Sequence, residues 1–157
     1  MRSKFFLVSA ITAFFLANSV MSQDKWDEVK ITSQAVSESV HMLAGMGGNI
    51  GVSVGPEGIL VIDDQYAPLA EKIAAAIGDI SKQPIKYIVN THYHGDHTGS
   101  NAYFTEVQGS TIFAHNNVRK RLAANADHTH AELPVVTFQE GVTFQFHVDT
   151  CNAMHLP

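Results

Sequence analysis

The chain has 157 residues, of which 45% are hydrophobic and 16% are charged, and its formal net charge is −5. This composition is typical of one globular domain that can bury a core, and the acidic balance shows no basic surface of the kind that binds nucleic acid. A single cysteine, Cys151, excludes an intrachain disulfide and a cysteine-rich structural zinc knuckle.

Residues 1–22 have the pattern of a secretory signal peptide. Arg2 and Lys4 give a basic start, and residues 5–17 form an apolar run too short to span a bilayer comfortably. The alternative is an uncleaved N-terminal anchor. We expect cleavage to leave a domain of residues 23–157 that is periplasmic or secreted, with no stable membrane partner.

The mature chain opens with strand patterns. Residues 23–36 are polar with scattered apolar positions and predict an edge strand or a loose arm, and residues 40–43 predict a short strand. Residues 44–49 are a glycine-rich hairpin loop without the lysine and hydroxyl residue of a phosphate-binding loop. Residues 50–54 alternate and residues 58–62 are continuously apolar, which predicts two paired strands, the second buried on both faces.

Residues 68–80 predict an amphipathic helix. Pro68 suits the first helical position, and apolar residues such as Ile73 and Ile77 recur at helical spacing. The apolar and β-branched residues 85–90 then predict another buried strand. Strand, helix and strand together predict a βαβ unit.

A dense cluster of metal-ligating side chains follows that strand. Four of them lie within six residues: His92, His94, Asp96 and His97. Imidazole and carboxylate are ligands that zinc accepts. We expect Gly95 to let the loop bend and Gly99 to free the backbone beyond it. The position at a strand end favours metal binding over a chance cluster of surface histidines.

Further elements follow the cluster. Residues 101–105 predict a short helix or a turn, residues 111–114 a buried strand and residues 117–124 a basic helix. Residues 135–138 and 142–146 alternate apolar and polar side chains around a turn, which predicts a hairpin.

Three other histidines are interpreted without a metal role. His115 ends a strand and is expected to be structural, at a helix start. His128 and His130 have a His-Thr-His spacing, but no buried strand or carboxylate motif supports a second metal site, so we expect them to be exposed.

The ligand cluster resembles the metallo-β-lactamase fold hydrolases, whose motif His-x-His-x-Asp-His matches residues 92–97 at every fixed position. The resemblance covers the chain from about residue 40 to residue 157 and includes residues 48–52, 58–63 and 111–115. It implies an α/β fold, the N-terminal half of an αββα metallo-β-lactamase sandwich, with a mixed β-sheet and flanking helices.

The resemblance also implies a role for each motif residue. His92 and His94 would bind a first zinc ion, and Asp96 and His97 would bind a second, so that one or two Zn²⁺ ions are expected. Asp96 would additionally act in catalysis by orienting the attacking hydroxide. Asp63 would steady the metal-binding loop from behind through hydrogen bonds.

The glycine-rich loop receives an implied role as well. Met46, Gly47, Gly48 and Asn49 fall where the loop of the resembling family flanks the active site and closes over substrate. Met46 would then be a mobile apolar contact.

The implied function is zinc-dependent hydrolysis of a small molecule. Zinc lowers the pKa of bound water from about 15.7 toward about 7, so that hydroxide can attack an ester, amide or thioester bond at neutral pH. In the resembling family further ligands follow the segment that holds His155, beyond Pro157 of this sequence. We therefore expect a fragment that is itself inactive. The alternative is a non-catalytic metal-binding fragment, or a half-domain that needs a partner chain.

Overall fold

The computed structural model describes residues 25–147 and 149–156. Most of its strands form one mixed sheet in chain order. These strands are β1 (Thr32–Ala35), β2 (Val40–Ala44), β3 (Ile50–Gly55), β4 (Gly58–Ile62), β5 (Ile85–Asn90), β6 (Thr111–His115) and β7 (Val136–Phe138). Neighbours from β1 to β4 are antiparallel, and neighbours from β4 to β7 are parallel. The predicted mixed sheet with flanking helices is confirmed.

Four helices lie in the connections between the parallel strands. They are α1 (Ala70–Ile80), α2 (Gly95–Thr98), α3 (Asn101–Glu106) and α4 (Asn116–Ala123), with 3-10 turns at Ala67–Leu69 and His130–Glu132. The predicted βαβ unit is confirmed as β4, α1 and β5. Its helix begins as a 3-10 turn that contains Pro68, and the regular α-helix starts at Ala70.

The core lies between the helices and one face of the sheet. Alternation along β5 places Ile88 and Asn90 on this face, whereas Tyr87 and Val89 point to the other. Seven large side chains of this layer are at most 1% exposed: Leu43, Ile59, Leu69, Ile73, Ile77, Ile88 and Phe104. Burial of this apolar face fixes the register of the strands whose ends carry the candidate ligands.

A two-stranded ribbon covers part of the opposite face. It consists of β8 (Gly141–Phe146) and β9 (Asp149–Met154). Phe144 stacks on Phe113, with ring centroids 5.6 Å apart, and Phe146 meets the ring of Tyr87 at 5.6 Å. Aromatic packing thus ties the ribbon to the sheet.

The predicted hairpin of residues 135–138 and 142–146 is therefore wrong. The first segment, as β7, joins the sheet edge parallel to β6, and the second, as β8, pairs with β9. Alternation establishes that a segment is a strand with one buried face, but it does not identify the partner. The partner of β7 is distant in sequence, and strand β9 was not predicted.

Two glycines of the ligand loop act differently from the expectation. Neither Gly95 nor Gly99 has a positive φ, and Gly95 simply begins helix α2 with open space around it. A Cβ on Gly99 would lie 2.6 Å from the carbonyl oxygen of Gly95 and 2.8 Å from that of Gln65. Close backbone packing, not a sharp bend, requires the glycine at position 99.

The N-terminal arm is docked on the helix layer, and its strand β1 confirms the predicted edge strand. Lys72 Nζ donates to the carbonyl oxygens of Trp26, Asp27 and Val29 at 2.9, 2.7 and 2.9 Å. The predicted signal peptide, residues 1–22, lies outside the described residues. Within the described part of the chain, no helix has the length and apolar character needed to cross a bilayer.

Candidate metal centre

The predicted ligands and the supporting residue Asp63 lie beyond the carboxyl ends of two parallel strands. Asp63 directly follows β4, and His92 follows β5 by two positions. Ile62 pairs with Val89 in the parallel register, so both strands end at the same edge of the sheet. His94 precedes helix α2 as its N-terminal cap residue. In sheets of this type, the molecules that a protein binds are found outside the carboxyl ends of the strands.

Three of the predicted ligands converge on one point. His92, Asp96 and His97 each offer one ligand atom, and these atoms all lie within 4.8 Å of one another. His97 Nε2 lies 3.5 Å from Asp96 Oδ2, and the ring centroids of His92 and His97 are 3.9 Å apart. Two ligands of a tetrahedral zinc ion lie about 3.4 Å apart, so the spacing suits a small divalent cation.

His94 lies beside this group without joining it. Its side chain is exposed, and its ring centroid is 4.9 Å from that of His92 and 4.5 Å from that of Tyr93. Among the described residues, the set of mutually close ligand atoms contains His92, Asp96 and His97 only. The role of His94 as a ligand stays a prediction.

Asp63 is buried behind the ligand loop and hydrogen-bonds to it. Its Oδ1 accepts from the backbone N–H of Thr91 at 2.7 Å, and its Oδ2 accepts from Thr91 Oγ1 at 2.7 Å. The same Oδ2 lies 2.7 Å from His97 Nδ1. Asp63 has φ +61°, a left-handed conformation that Asp and Asn tolerate better than most residues. The carboxylate therefore joins the end of β5 to one candidate ligand.

These hydrogen bonds assign the protons of two imidazoles. Because the carboxylate of Asp63 can only accept, His97 carries its proton on Nδ1. The hydroxyl proton of Thr91 points to Asp63, so Thr91 Oγ1 accepts from His92 Nδ1 at 3.1 Å. Both histidines thus keep a free lone pair on Nε2, which is what a metal ion requires.

Electrostatics favour the same state of His92. Partial burial lowers the pKa of His92 below its ordinary value, and the neighbouring ring of His97 is the second cause of this shift. The neutral imidazole is the form that binds metal, so His92 is held in its ligating form.

Ala44 belongs to β2, and the remaining residues of the glycine-rich loop, 45–49, lie against two of the ligands. A Cβ on Gly47 would be 2.9 Å from Asp96 Cβ, and a Cβ on Gly48 would be 2.7 Å from His97 Cε1. Gly47 also has φ +94°. Met46 is half-buried and packs on the core, and its role as a mobile apolar contact stays a prediction. Asn49 is exposed, and contact of this loop with substrate stays a prediction.

The polar layer beneath the ligands is not evident from the sequence pattern. The backbone N–H of Asp64 and the Asn90 side chain donate to the carbonyl oxygen of His97 at 3.1 and 3.0 Å. Asn101 donates in turn to Asn90 Oδ1 at 3.0 Å. Asp64 is fully buried and accepts from the N–H of Ser100, and burial raises the pKa of its carboxyl well above the usual range. The one sequence feature that could have indicated this layer is the presence of polar residues, Asp64 and Asn90, at the ends of apolar strands.

A cleft of about 560 Å³ opens beside His92. The guanidinium of Arg121 lies 4.5 Å above the ring of Tyr93, and both residues line the cleft. Its apolar lining includes Ile62, Val89, Val118, Phe138, Met154 and Leu156. The cleft thus combines an apolar wall with one cation near the candidate metal centre.

His115 has the structural role predicted for it. Its Nδ1 accepts from the N–H of Asn117 at 3.1 Å and caps helix α4, while its Nε2 donates to the Gln139 carbonyl oxygen at 2.7 Å. The ring of His155 stacks on it with centroids 4.1 Å apart. With both nitrogens engaged, His115 has no lone pair for a metal.

Among the residues that the structure describes, His128 and His130 are not part of the set of mutually close ligand atoms. His128 is half-buried, which differs from the expected exposure, because its Nδ1 pairs with the Glu132 carboxylate. His130 is exposed, as predicted.

Comparisons with known proteins identify the family of the chain. The family model described as metallo-beta-lactamase superfamily matches residues 47–154. A linear primary-alkylsulfatase from Pseudomonas sp. is 32% identical over 93 residues, which cover 57% of this chain and 17% of that protein.

Solved structures share the fold. A subclass B3 metallo-β-lactamase of Bradyrhizobium japonicum superposes with a TM-score of 0.67 at 20% identity, covering 77% of this chain and 50% of that one. A metallo-β-lactamase from Pontibacter korlensis gives 0.62 at 23% identity, covering 77% and 58%. The chain therefore spans about half the length of these structures and a smaller share of the alkylsulfatase.

Proposed function

The chain belongs to the metallo-β-lactamase superfamily of metal-dependent hydrolases, and from this premise we propose that the full-length protein is a zinc-dependent hydrolase of a small-molecule substrate. The observation that carries the proposal is the convergence of ligand atoms from His92, Asp96 and His97 within 4.8 Å. Asp63 and Thr91 leave the Nε2 atoms of both imidazoles free, so the donor set fits zinc.

The chain's own residues supply binding and orientation. Zinc, when bound, acidifies a water molecule and polarises the bond under attack. His92 and His97 offer neutral nitrogen ligands, and His94 is proposed to join them once an ion is present. Asp96 offers one carboxylate oxygen to the ion, and its other oxygen can accept a hydrogen bond from the attacking water. This contact would turn a lone pair of the water toward the substrate.

The substrate bond is proposed to be of the ester, amide or thioester type, as in a β-lactam. Attack on such a carbonyl needs a positioned water and a stabilised oxyanion, and this centre is suited to supply both. A second candidate is the sulfate ester of an alkyl chain. It is favoured by the 32% identity with the alkylsulfatase and by Arg121, which lies beside His92 at the same cleft. Guanidinium pairs well with oxyanions such as a sulfate group.

Turnover by the full-length protein tests the proposal. A chromogenic β-lactam, a lactone, a thioester and a primary alkyl sulfate are assayed with zinc and after chelation. We expect zinc-dependent turnover of at least one of them, with loss of both zinc and turnover in His94→Ala and Asp96→Asn. The matched control is His130→Ala, which changes an exposed histidine outside the centre. Turnover that persists after chelation, or in Asp96→Asn without zinc, contradicts the proposal.

The same experiment separates the non-catalytic alternative. A full-length protein that holds zinc in the wild type, loses it in the two variants and hydrolyses none of the substrates would be a metal-binding module. We also propose export to the periplasm or medium on the basis of the pattern in residues 1–22. N-terminal sequencing of the mature protein should then begin near residue 23, and an intact Met1 on the isolated protein contradicts cleavage.

A further inference from the structure

The buried side-chain amide of Gln65 is hydrogen-bonded to the backbone of the glycine-rich loop. Gln65 is 0% exposed and has φ +56°. Its Oε1 accepts from the N–H of Met46 at 3.3 Å, and its Nε2 donates to the carbonyl oxygen of Gly48. One side chain thus satisfies a donor and an acceptor of the loop backbone, groups that would be costly to leave unpaired at a part-buried position.

The loop is also supported at its sides. A Cβ on Gly47 would lie 3.1 Å from Tyr66 Cε2, and the ring of Tyr66 packs on Trp26 with centroids 5.2 Å apart. Met46 packs on the core. A segment held by an amide, an aromatic pair and a core side chain has few conformations available to it.

The held loop touches the ligands on its other surface. Gly47 lies against Asp96, and Gly48 lies against the ring of His97, at distances where even a methyl group would collide. The loop backbone therefore limits the rotamers that these two side chains can adopt. Gln65 acts on the centre only through the loop.

We propose that Gln65 is a positioning residue that keeps residues 45–49 as a fixed wall, so that Asp96 and His97 face the cation. The inference deepens the proposed function and rests on it. It replaces the expectation that the loop closes over substrate, because a loop pinned at both Met46 and Gly48 does not act as a lid. An amide is suited to this task, since a carboxylate lacks the donor and an aliphatic side chain lacks both groups.

The first test uses the wild-type protein and zinc alone. Coupling between two sites is reciprocal, so an ion that fixes Asp96 and His97 must also steady the loop that touches them. Hydrogen exchange of the Met46 amide, which donates to Gln65, should slow at least about tenfold on zinc addition. Unchanged exchange at this amide, in a sample shown to contain stoichiometric zinc, overturns the proposal.

The second test compares Gln65→Met with Gln83→Met. Methionine keeps the side-chain length at position 65 but removes both hydrogen bonds, and Gln83 is an exposed control with the same chemical change. Cobalt titration of Gln65→Met should show affinity weakened about tenfold and an altered visible spectrum, with kcat reduced more than KM. Gln83→Met should match the wild type.

The outcomes distinguish failure of the positioning role of Gln65 from failure of the proposed hydrolysis. An unaltered cobalt spectrum and affinity in folded Gln65→Met overturn the positioning role even if stability falls. If Gln65→Met does not fold, Gln65→Glu is measured instead, because it keeps the acceptor for Met46 and loses the donor to Gly48. Failure of the proposed hydrolysis would be seen as absent turnover in the wild type, whereas exchange and cobalt binding still report on Gln65.

Discussion

Replacing Asp63 by asparagine should reverse the proton position on a metal ligand. Asparagine has the same size and tolerates the φ of +61° at this position. Its Oδ1 can still accept from the N–H of Thr91, but an NH₂ group replaces the oxygen that faces His97 Nδ1 at 2.7 Å. The amide donates, so His97 must accept on Nδ1 and carry its proton on Nε2. The lone pair that faces the cation is then lost.

The magnitude follows from the role of such outer partners. Loss of a carboxylate that orients a ligating histidine costs 10- to 100-fold in metal affinity, or about 1.4–2.7 kcal/mol. We expect at least this range for Asp63→Asn, because the lost oxygen also accepts from Thr91 Oγ1, the hydroxyl that accepts from His92 Nδ1.

Competition for zinc with a chromophoric chelator at pH 7 measures the effect. The control is Asp79→Asn, on the exposed face of α1, which makes the same change of charge away from the centre. Nitrogen chemical shifts of the His97 ring in the metal-free protein report the tautomer directly. A zinc affinity within twofold of the wild type, with His97 still protonated on Nδ1, would refute the reasoning.

Two other substitutions test the local geometry. Gly99→Ala should lower the free energy of unfolding by about 1–3 kcal/mol in urea, because its Cβ would lie 2.6 Å from the carbonyl oxygen of Gly95, whereas Gly95→Ala has open space and should not destabilise the protein. Equal effects of both would contradict the packing argument. Burial raises the pKa of the Cys151 thiol, and the negative charge of Asp149 raises it further. The rate of alkylation of Cys151 should therefore reach half its maximum at a higher pH than that of free cysteine. Asp149→Asn should shift that midpoint downward, and an upward shift would show that Asp149 does not act on the thiol.

The sequence was sufficient to predict the strands β2 to β6 and the presence of a ligand cluster after β5, because both depend on local patterns. Continuous apolar runs mark strands that are buried on both faces, and ligands at a strand end must lie at the sheet edge. Asp63 was located by resemblance, and its position behind His97 agrees with that expectation.

Non-local contacts account for what the sequence did not predict. The parallel pairing of β7 with β6 depends on a strand some twenty residues earlier in the chain, and alternation in β7 does not contain that information. Gln65 and Asp64 follow a strand as ordinary polar residues, and only the fold shows that both are fully buried. A Cβ on Gly99 would collide with Gly95 nearby in the chain and also with backbone from another segment, the carbonyl oxygen of Gln65 at 2.8 Å.

Anomalous diffraction at the zinc edge from crystals of the full-length protein tests the central claim most directly. We predict an anomalous peak within bonding distance of Nε2 of His92, Nε2 of His97 or both, with a carboxylate oxygen of Asp96 in the same cluster. Nδ1 of His97 should remain hydrogen-bonded to Asp63. Zinc-loaded crystals with no peak within bonding distance of these side chains would contradict the assignment of this edge of the sheet as a metal centre.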